Sequence, residues 1–509
     1  MIILNGQKLT IETLVQVSRF QAKVSISKKA KDEILKAQAF VEEIVDSGRV
    51  VYGINTGFGK LSDQSIPKAE TNQLQLNLIR SHATAMGAPL PEEVVRAMMT
   101  SRINALVKGY SGIRLETLEK MVELLNKHVT PVVFEQGSLG ASGDLALLSH
   151  MALPLVGEGE VFYKGKRMAT PLAFEKANIT ALSCLKAKEG LSLINGTQAM
   201  SGLGALCLYD AFQVLNHAEL ALAMTSEALH GIIDAFDDRI HQVRGHKGQI
   251  QAARLIRSIL SDSKLITRQG ELRVQDAYSI RCAPQVHGAI LDTLWFVKQV
   301  IETELNAVSD NPILFVEDQD VISAGNFHGE PLAFALDYLG IVMAECANIS
   351  ERRLERLVNP ALSNGLPAFL ASTCGINSGF MIVQYTAAAI VSENKVLAHP
   401  ASVDSIPSSA NQEDHVSMGS ISARKARTIV DNARRVVALE LLTACQALQF
   451  RDLTKLSSLT KAVHQEIRKT IPYLHLDETL YPHMHEIERI VRSNVLLKLP
   501  NGGEMKWHY

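Results

Sequence analysis

Long stretches with helical periodicity and no proline restrict the fold of this chain more than any other sequence feature. In residues 115–125, Leu and Val recur at steps of three and four with glutamates between them, the pattern of an amphipathic helix. Residues 190–238 contain no proline and keep a helical pattern. Similar stretches occupy residues 289–308, 332–358, 378–398 and 421–450. Helices of this length usually pack side by side, so the sequence predicts an all-α fold built on a long-helix bundle.

Few segments alternate as strands do. Residues 157–168 alternate around a Lys-Gly turn, which predicts a small hairpin, and residues 1–10 fit one short strand. Near residue 195, loop-rich sequence gives way to long helices. We therefore predict two domains, a smaller N-terminal helical domain at residues 1–195 and a helix-bundle domain at residues 196–509.

The net charge and the N-terminal sequence argue against several classes of protein. The net charge of −2 provides no electrostatic footprint for nucleic acid or an anionic membrane. The N-terminus has no basic segment followed by a long apolar one, and no run of about 18 apolar residues predicts a membrane span. We expect a cytoplasmic protein that binds neither nucleic acid nor membrane.

Cysteine usage and nucleotide motifs narrow the chemistry further. The six cysteines are scattered and form no CxxC pair, which is typical of reduced, mostly buried thiols; they are Cys184, Cys207, Cys282, Cys346, Cys374 and Cys445. The chain has no Walker A sequence and no GxGxxG segment after a strand. We therefore expect no metal and no nucleotide. Hydrophobic residues make up 47% of the chain, which is compatible with burial of additional surface between subunits.

The tripeptide Ala141-Ser142-Gly143 can supply an electrophile, a kind of group that ordinary side chains lack. Attack of the Gly143 amide nitrogen on the Ala141 carbonyl carbon would close a five-membered ring. Loss of two waters would then leave a methylidene carbon, the former Cβ of Ser142. Gly143 suits the closure because it has no Cβ. The alternative is an ordinary glycine-rich turn that leads into a helix with Asp144 as its N-cap.

Several other loops are rich in Gly, Ser and Asn and carry polar side chains. Loops of this kind on a rigid scaffold commonly carry functional sites. They occupy residues 52–60, 137–144, 195–198, 274–282, 323–331 and 408–415.

The segment GSLGASGDLALLSH (137–150) resembles the signature of the aromatic amino acid lyases, which carry a 4-methylideneimidazol-5-one prosthetic group. Further segments resemble the same family in the same order: YGINTGFG (52–59), KEGLSLINGTQ (188–198), VQDAYSIRC (274–282), GNFHGEP (325–331) and SANQEDHVSM (409–418). The resemblance covers most of the chain and thins after about residue 455.

This resemblance implies a fold shared with the fumarase/aspartase superfamily, with the prosthetic-group loop in the N-terminal domain. It implies that Ala141, Ser142 and Gly143 form the prosthetic group autocatalytically. It also implies a homotetramer in which loops from three subunits build each active site.

Two positions bear on the substrate that the resemblance implies. Ser81-His82 is similar to the family members that act on L-histidine, which they convert to trans-urocanate in the first step of histidine degradation. His82 is expected to hydrogen-bond the substrate imidazole. Glu413 stands where phenylalanine lyases tend to have glutamine, and a carboxylate there would accept from the imidazole N–H or take the β-proton. The alternative for Glu413 is a carboxylate at a helix start, stabilised by the dipole.

Three further residues match catalytic or binding residues of the family. Tyr52 matches a catalytic tyrosine, whose pKa near 10 must fall if it is to act as a base near neutrality; alternatively it packs in the core against Phe58. Tyr278 matches a second tyrosine near the prosthetic group, or is a hydrogen-bonded core phenol. Arg281 matches the arginine that binds the substrate carboxylate, or forms a structural ion pair.

Three residues complete the predicted site. Asn195 would hydrogen-bond the prosthetic group or the substrate. Gln275 would support Asn195, although a purely structural amide fits as well. Phe327 would stack near the electrophile, or belong to the core.

Other functions stay open at this point. One is a tyrosine or phenylalanine ammonia-lyase, or an aminomutase, of the same family. Another is a fumarase-type lyase without a prosthetic group, although such enzymes usually carry a GSSxMPxKxN-type loop that this chain lacks. A third is a helical scaffold without activity. The sequence identifies neither the β-proton base nor whether the electrophile meets the substrate amine or its ring.

Overall fold

The computed structural model describes residues 1–373 and 375–499, and helices dominate this part of the chain. The helices are α1 (Ile11–Ser18), α2 (Lys28–Ser47), α3 (Thr71–His82), α4 (Glu92–Leu106), α5 (Leu115–Asn126), α6 (Leu145–Ala152), α7 (Thr170–Ala177), α8 (Glu189–Ile194), α9 (Gln198–Ala228), α10 (Asp238–Arg244), α11 (Lys247–Ile259), α12 (Tyr278–Arg281), α13 (Ala283–Leu305), α14 (Glu330–Val358), α15 (Met381–Leu397), α16 (Gly419–Leu448), α17 (Ser458–Arg468) and α18 (Tyr481–Ser493). The predicted all-α class is confirmed.

The strands are three or four residues long and form small sheets. They are β1 (Ile2–Leu4), β2 (Val24–Ile26), β3 (Met86–Pro89), β4 (Val129–Pro131), β5 (Phe134–Gln136), β6 (Glu160–Tyr163), β7 (Lys166–Ala169), β8 (Ile313–Phe315) and β9 (Asp320–Ile322). The predicted strand near the N-terminus is β1, which pairs parallel with β2. The predicted hairpin is β6–β7. Its turn residues Lys164 and Gly165 both have positive φ, as a two-residue hairpin turn requires.

The long helices occur where the periodicity predicts them, with one interruption. Residues 190–238 form α8 and then α9, separated by an extended Asn195 with ψ of 94°. A Cβ on Gly196 would lie 2.2 Å from Nη1 of Arg102, so the chain at this break is in close contact with a distant segment. The break follows from tertiary packing and not from proline, and it presents residues 195–197 as a loop.

The described chain divides into two compact units. The first contains residues 1–209, 298–337 and 400–424, and the second contains the described residues of 210–297, 338–399 and 425–499. This division differs from the predicted boundary at residues 195 and 196. The physical reason is that four long helices, α9, α13, α14 and α16, each contribute residues to both units.

In the first unit, the end of α2 positions the loop that carries Tyr52. Gly48 ends the helix in the left-handed region with φ of 76°, and the chain turns back. Val51 and Ile54 are then buried in a cluster with Phe40 of α2 and Leu314 of β8. Anchors on both sides of Tyr52 therefore fix the loop to the scaffold.

In the second unit, a charged network lies in the buried part of the helices. Arg353 and Glu440 are fully buried and form a paired contact, Nε to Oε1 at 2.6 Å and Nη2 to Oε2 at 2.8 Å. Thr225 and Ser350 donate to the same carboxylate at 2.9 and 2.6 Å. The carboxylate is thus satisfied on both oxygens, as burial of a charge requires.

One helix has the length and composition of a membrane span. Among the described residues α14 alone passes that test, and 61% of its apolar window is buried within the protein. Asp337 and Glu345 interrupt the apolar residues of this helix, so it contains no unbroken run of 18. Burial of this kind is typical of a core helix.

The described cysteines form no disulfide bonds. Cys207, Cys346 and Cys445 are buried, and Cys184 and Cys282 are half-buried. Cys374 lies outside the described residues.

Candidate active site

A cavity of about 870 Å³ in the first unit brings together residues of seven separate segments. Its lining contains seven of the predicted site residues: Tyr52, His82, Ala141, Ser142, Asn195, Phe327 and Glu413. Asn311 helps to shape this wall, since its Oδ1 accepts from the N–H of Ala324 at 2.7 Å. The convergence of distant polar loops on one concave space is the usual geometry of an active site.

Gly143 lies in a position that no other residue could occupy. Its φ is +70°, and a Cβ built there would lie 2.1 Å from the carbonyl oxygen of Gly196. The N–H of Asp144 donates to that same oxygen at 2.7 Å. The Gly143 N–H itself donates to no acceptor among the described residues. The end of the tripeptide is therefore pressed against the break between α8 and α9, with its amide nitrogen available.

Asp144 stands before α6, but its side chain does not cap that helix. Instead, Oδ1 accepts from Ser138 Oγ at 2.8 Å and Oδ2 accepts from the N–H of Met200 at 2.9 Å. Met200 lies in the first turn of α9, so the carboxylate satisfies a donor of a distant helix. Burial raises the pKa of Asp144 to about 6, against the lowering effect of these hydrogen bonds. The alternative of a local N-cap is wrong.

Asn195 contacts the tripeptide directly. Its Nδ2 donates to the carbonyl oxygen of Ser142 at 2.9 Å. The fully buried Arg102 holds the Asn195 backbone by donating from Nη2 to its carbonyl oxygen at 2.9 Å and from Nη1 to Gln198 Oε1 at 2.8 Å. Burial lowers the pKa of Arg102 to about 10, so the guanidinium stays charged at neutral pH.

Glu413 lies in a turn and not at a helix start. Ser408 and Glu413 pair through their backbones, and Ser408 Oγ donates to Oε2 of Glu413 at 2.8 Å. The other oxygen, Oε1, accepts from Ser142 Oγ at 2.6 Å. Helix α16 begins only at Gly419, so the helix-dipole alternative for Glu413 is wrong.

The pKa of Tyr52 is shifted upward, opposite to the direction that base catalysis requires. Its hydroxyl accepts from the N–H of Gly59 at 3.3 Å. Burial raises the pKa of Tyr52 above its ordinary value, and the charges of Glu413 and Asp310 raise it further, while the Gly59 hydrogen bond lowers it. The groups around Tyr52 in the single chain therefore do not lower its pKa as base catalysis requires.

His82 is held in a defined tautomer at the end of α3. Its Nδ1 lies 2.9 Å from the carbonyl oxygen of Leu78. Because a carbonyl oxygen only accepts, Nδ1 carries the proton and Nε2 is the acceptor of the neutral ring. Burial lowers the pKa of His82, which favours this neutral form.

Two histidines of the cavity wall had no predicted role. The rings of His328 and His415 stack with 5.9 Å between centroids, and His328 Nε2 lies 3.3 Å from the His415 carbonyl oxygen. The pair links the loop of Phe327 to the loop of Glu413. Both histidines lie inside segments that carry the family resemblance. A search of those segments for further polar or aromatic side chains would have found them.

Three predicted residues are elsewhere. Gln275, Tyr278 and Arg281 belong to the second unit and do not line the cavity. Tyr278 is 69% exposed, so the core-phenol alternative is wrong. The Arg281 guanidinium lies 4.6 Å from the centre of the Tyr278 ring, and its buried Nε has no hydrogen-bond partner. Within the described part of the chain, Arg281 makes no ion pair.

The described residues contain no group of three or more His, Cys, Asp or Glu side chains that could hold a metal ion.

Comparison with known proteins identifies a family that matches most of this chain. The family model described as aromatic amino acid lyase matches residues 9–469. The chain is 55% identical to histidine ammonia-lyase of Caldanaerobacter subterraneus subsp. tengcongensis, over 97% of this chain and 96% of that protein.

Solved structures agree with the sequence comparison. Histidine ammonia-lyase from Trypanosoma cruzi is similar with a TM-score of 0.91 and 42% identity, covering 100% of this chain and 98% of that one. A tyrosine aminomutase from Streptomyces globisporus has a TM-score of 0.95 and 35% identity, covering 98% of both chains. The fold alone therefore does not separate the activities.

Proposed function

The chain belongs to the aromatic amino acid lyase family, and from this premise we propose that it eliminates ammonia from L-histidine to give trans-urocanate, the reaction that begins histidine degradation. The observation that carries the proposal is the presence of His82 and Glu413 in one cavity with the Ala-Ser-Gly tripeptide. Two relatives that are 53% and 55% identical to this chain are named histidine ammonia-lyases, which agrees with the proposal.

Recognition of the substrate would use two acceptors. His82 offers Nε2 in its neutral tautomer, and Glu413 offers a carboxylate. A neutral imidazole can donate its one N–H to either group and an imidazolium can donate to both, whereas a phenyl ring can donate to neither and leaves Nε2 of His82 without a donor from the substrate. Buried polar groups left unpaired discriminate strongly against an analogue that lacks the donor.

The tripeptide fits the prosthetic group of the family. Gly143 sits where only glycine fits, its N–H donates to no acceptor in the described part of the chain, and Asn195 donates to the Ser142 carbonyl oxygen. When formed, the group supplies an electrophilic carbon that activates the substrate for loss of ammonia. Asn195, held by Arg102, would orient it.

The β-proton would be taken by Tyr52 or Glu413, which line the same cavity. Tyr52 needs a nearby cation to lower its pKa. Phe327 would pack beside the reacting centre, and the neutral His82 would hold the ring in place.

We further propose a cytoplasmic homotetramer with shared active sites. Gln275, Tyr278 and Arg281 would then be supplied by neighbouring subunits, where Arg281 would bind the substrate carboxylate and provide the missing positive charge. In support, the segment around them is exposed and partly apolar in the single chain: Leu272 and Val274 are 60% and 69% exposed. Large exposed apolar side chains commonly mark subunit interfaces.

A tyrosine aminomutase or a tyrosine or phenylalanine lyase is the second candidate, favoured by the fold comparison. Near-ultraviolet absorbance with L-histidine, L-tyrosine and L-phenylalanine separates these activities. We expect a conjugated-acid band with histidine alone. A band with tyrosine or phenylalanine alone would overturn the substrate assignment, and silence with all three would overturn the proposed chemistry.

A further inference from the structure

The Glu413 carboxylate accepts two side-chain hydrogen bonds in the described part of the chain, and both donors are serine hydroxyls. Ser142 Oγ donates to Oε1 at 2.6 Å, and Ser408 Oγ donates to Oε2 at 2.8 Å. The two donors differ in one respect, because maturation of the tripeptide would remove the Ser142 hydroxyl as water. Ser408 is then the donor that still holds the carboxylate, and Oε1 loses its partner.

We propose that Ser408 is a positioning residue: it holds Glu413 so that Oε1 faces the space vacated by the Ser142 hydroxyl and accepts the ring N–H of L-histidine. Before maturation, the Ser142 hydroxyl occupies Oε1 in place of that substrate donor. This inference rests on the proposed function, because it takes the imidazole as the group that Glu413 recognises.

The turn between Ser408 and Glu413 fixes the two residues against each other. The N–H of Ser408 donates to the Glu413 carbonyl oxygen at 2.9 Å, and the N–H of Glu413 donates to the Ser408 carbonyl oxygen at 3.3 Å. Residues 409–411 between them all have positive φ, from 51° to 64°, a conformation that costs free energy in residues other than glycine. Such a backbone persists where the surrounding contacts enforce it, commonly at functional sites.

The charge of Glu413 acts on the side of the cavity where the substrate ring is expected. Burial lowers the pKa of His82, and the Glu413 carboxylate opposes that shift. Glu413 therefore lies close enough to His82 for both to contact one ring. A hydrogen bond to a carboxylate is stronger than one between neutral groups, and a carboxylate that is already oriented loses less entropy when the substrate binds.

Ser142→Ala separates recognition from chemistry. It removes the hydroxyl from Oε1 and cannot form the prosthetic group, so calorimetry with L-histidine measures binding without turnover. Adding Ser408→Ala should weaken this binding about tenfold, because the carboxylate loses the hydrogen bond that orients it. Adding Ser408→Thr, which keeps a hydroxyl, should leave the affinity within about twofold of that of Ser142→Ala.

A double-mutant cycle distinguishes positioning from a general effect on the loop. When Glu413→Ala is also present, Ser408→Ala should change the affinity by less than about twofold, because no carboxylate remains to be oriented. A role of Ser408 in folding of the loop alone would weaken binding equally with and without Glu413, and that result would overturn the inference.

Ser402→Ala is the matched control, since it removes a serine hydroxyl from the same segment. The backbone N–H of Ser402 donates to Asp337 at 2.8 Å, and its hydroxyl forms no hydrogen bond within the described part of the chain. Binding of L-histidine should be unchanged in this variant. Circular dichroism and size-exclusion chromatography establish that each variant is folded and assembled.

Imidazolepropionate, which has the ring of histidine but no amine, tests which substrate group Oε1 accepts from. Its binding to Ser142→Ala should depend on the Ser408 hydroxyl as strongly as the binding of L-histidine does. A dependence shown by L-histidine alone would overturn the assignment to the ring N–H.

Steady-state kinetics of the mature chain give a second measurement. Ser408→Ala alone should still lose two waters by intact mass, and its KM for L-histidine should rise about tenfold with a smaller change in kcat. If Ser142→Ala binds L-histidine too weakly for calorimetry, this KM decides. If Ser408→Ala does not fold, Ser408→Cys takes its place, because a thiol of similar size is a weak donor.

The outcomes separate this inference from the proposed function. Equal affinity and equal KM with and without the Ser408 hydroxyl overturn the positioning role and leave the reaction of the wild-type chain with L-histidine untouched. A wild-type chain that does not act on L-histidine overturns the proposed function, and this inference with it.

Discussion

The Asp144 carboxylate accepts a hydrogen bond from the backbone N–H of Met200 at 2.9 Å. Met200 belongs to the first turn of α9, and Asp144 directly follows the tripeptide. One buried acid therefore joins the segment that must cyclise to the start of a long helix. The same acid also accepts from Ser138, on the other side of the tripeptide, so the loop is tied at both ends.

Asp144→Asn should change how stability depends on pH. Burial raises the pKa of Asp144 from 3.8 to about 6. Between those values the folded chain keeps the proton that the unfolded chain has released, so stability falls as pH rises. Relative to Asp144→Asn, which does not titrate, wild type should lose up to about 3 kcal/mol between about pH 4 and pH 6 and no more above it. Urea unfolding across pH 4–8 measures this; a constant difference would contradict it.

Gly143→Ala should prevent maturation for a steric reason. The new Cβ would lie 2.1 Å from Gly196 O, a contact that the loop cannot relieve without moving the tripeptide. Gly165→Ala is the control, because its φ of +72° is similar but nothing lies within 4 Å. The control should cost about 1–2 kcal/mol from the left-handed backbone alone and lose both waters normally. Intact mass and urea unfolding compare the two, and equal behaviour would show that the contact with Gly196 is unimportant.

The helices and the β6–β7 hairpin could be predicted because their patterns are local. Periodicity of 3.6 or 2 reports which face of a segment is buried. The break between α8 and α9 could not, since it depends on close packing of Gly196 against Gly143 and Arg102, which are distant in sequence. The residue composition of the two compact units is not encoded locally either, because four long helices each contribute residues to both units.

The sequence could indicate candidate site residues, but it could not predict the bonds between them. Seven resemblance-based residues line the cavity. The link from Ser142 to Glu413 and the bond from Met200 to Asp144 join residues far apart in sequence, and no local pattern encodes them. The direction of the shift in the Tyr52 pKa could not be predicted from the sequence either, because burial and the charges of Glu413 and Asp310 set it.

Arg353→Met should destabilise the second unit strongly. It would leave Glu440 fully buried with its paired cation removed, and breaking a buried pair in this way typically costs about 3–5 kcal/mol. Arg489→Met is the control: Arg489 pairs with Glu486, and the two side chains are 65% and 25% exposed, so its loss should cost at most about 1 kcal/mol. Urea unfolding of both variants tests the contrast, and similar losses would refute the importance of burial.

His82→Leu should weaken histidine binding more than it slows turnover. The change removes the Nε2 acceptor while keeping an apolar side chain of comparable size. The lost hydrogen bond predicts a rise in KM of about tenfold, with a smaller change in kcat. Gln73→Leu is the control, because it makes a polar-to-apolar change on the same helix at an exposed position that does not line the cavity. Steady-state kinetics with L-histidine decide, and an unchanged KM would remove His82 from substrate recognition.

Mixed tetramers should recover activity if active sites are shared between subunits. Tyr52 lines the cavity of the first unit, whereas Arg281 belongs to the second unit and does not line it. Tyr52→Phe and Arg281→Met should each be inactive alone. When equal amounts of the two chains assemble at random, about a quarter of the sites would receive both native residues from different subunits. Co-expression with two affinity tags and assay of doubly tagged tetramers measures the recovery.

Tyr52→Phe mixed with Glu413→Gln is the matched control for this experiment. Both residues line the cavity of one chain, so every site would inherit one defect or the other and activity should stay absent. Recovery in the first mixture alone would place Arg281 and Tyr52 of one active site on different subunits. Recovery in neither, with mixed tetramers present, would mean that each chain supplies its own Arg281, and sharing of the carboxylate-binding arginine would have to be given up.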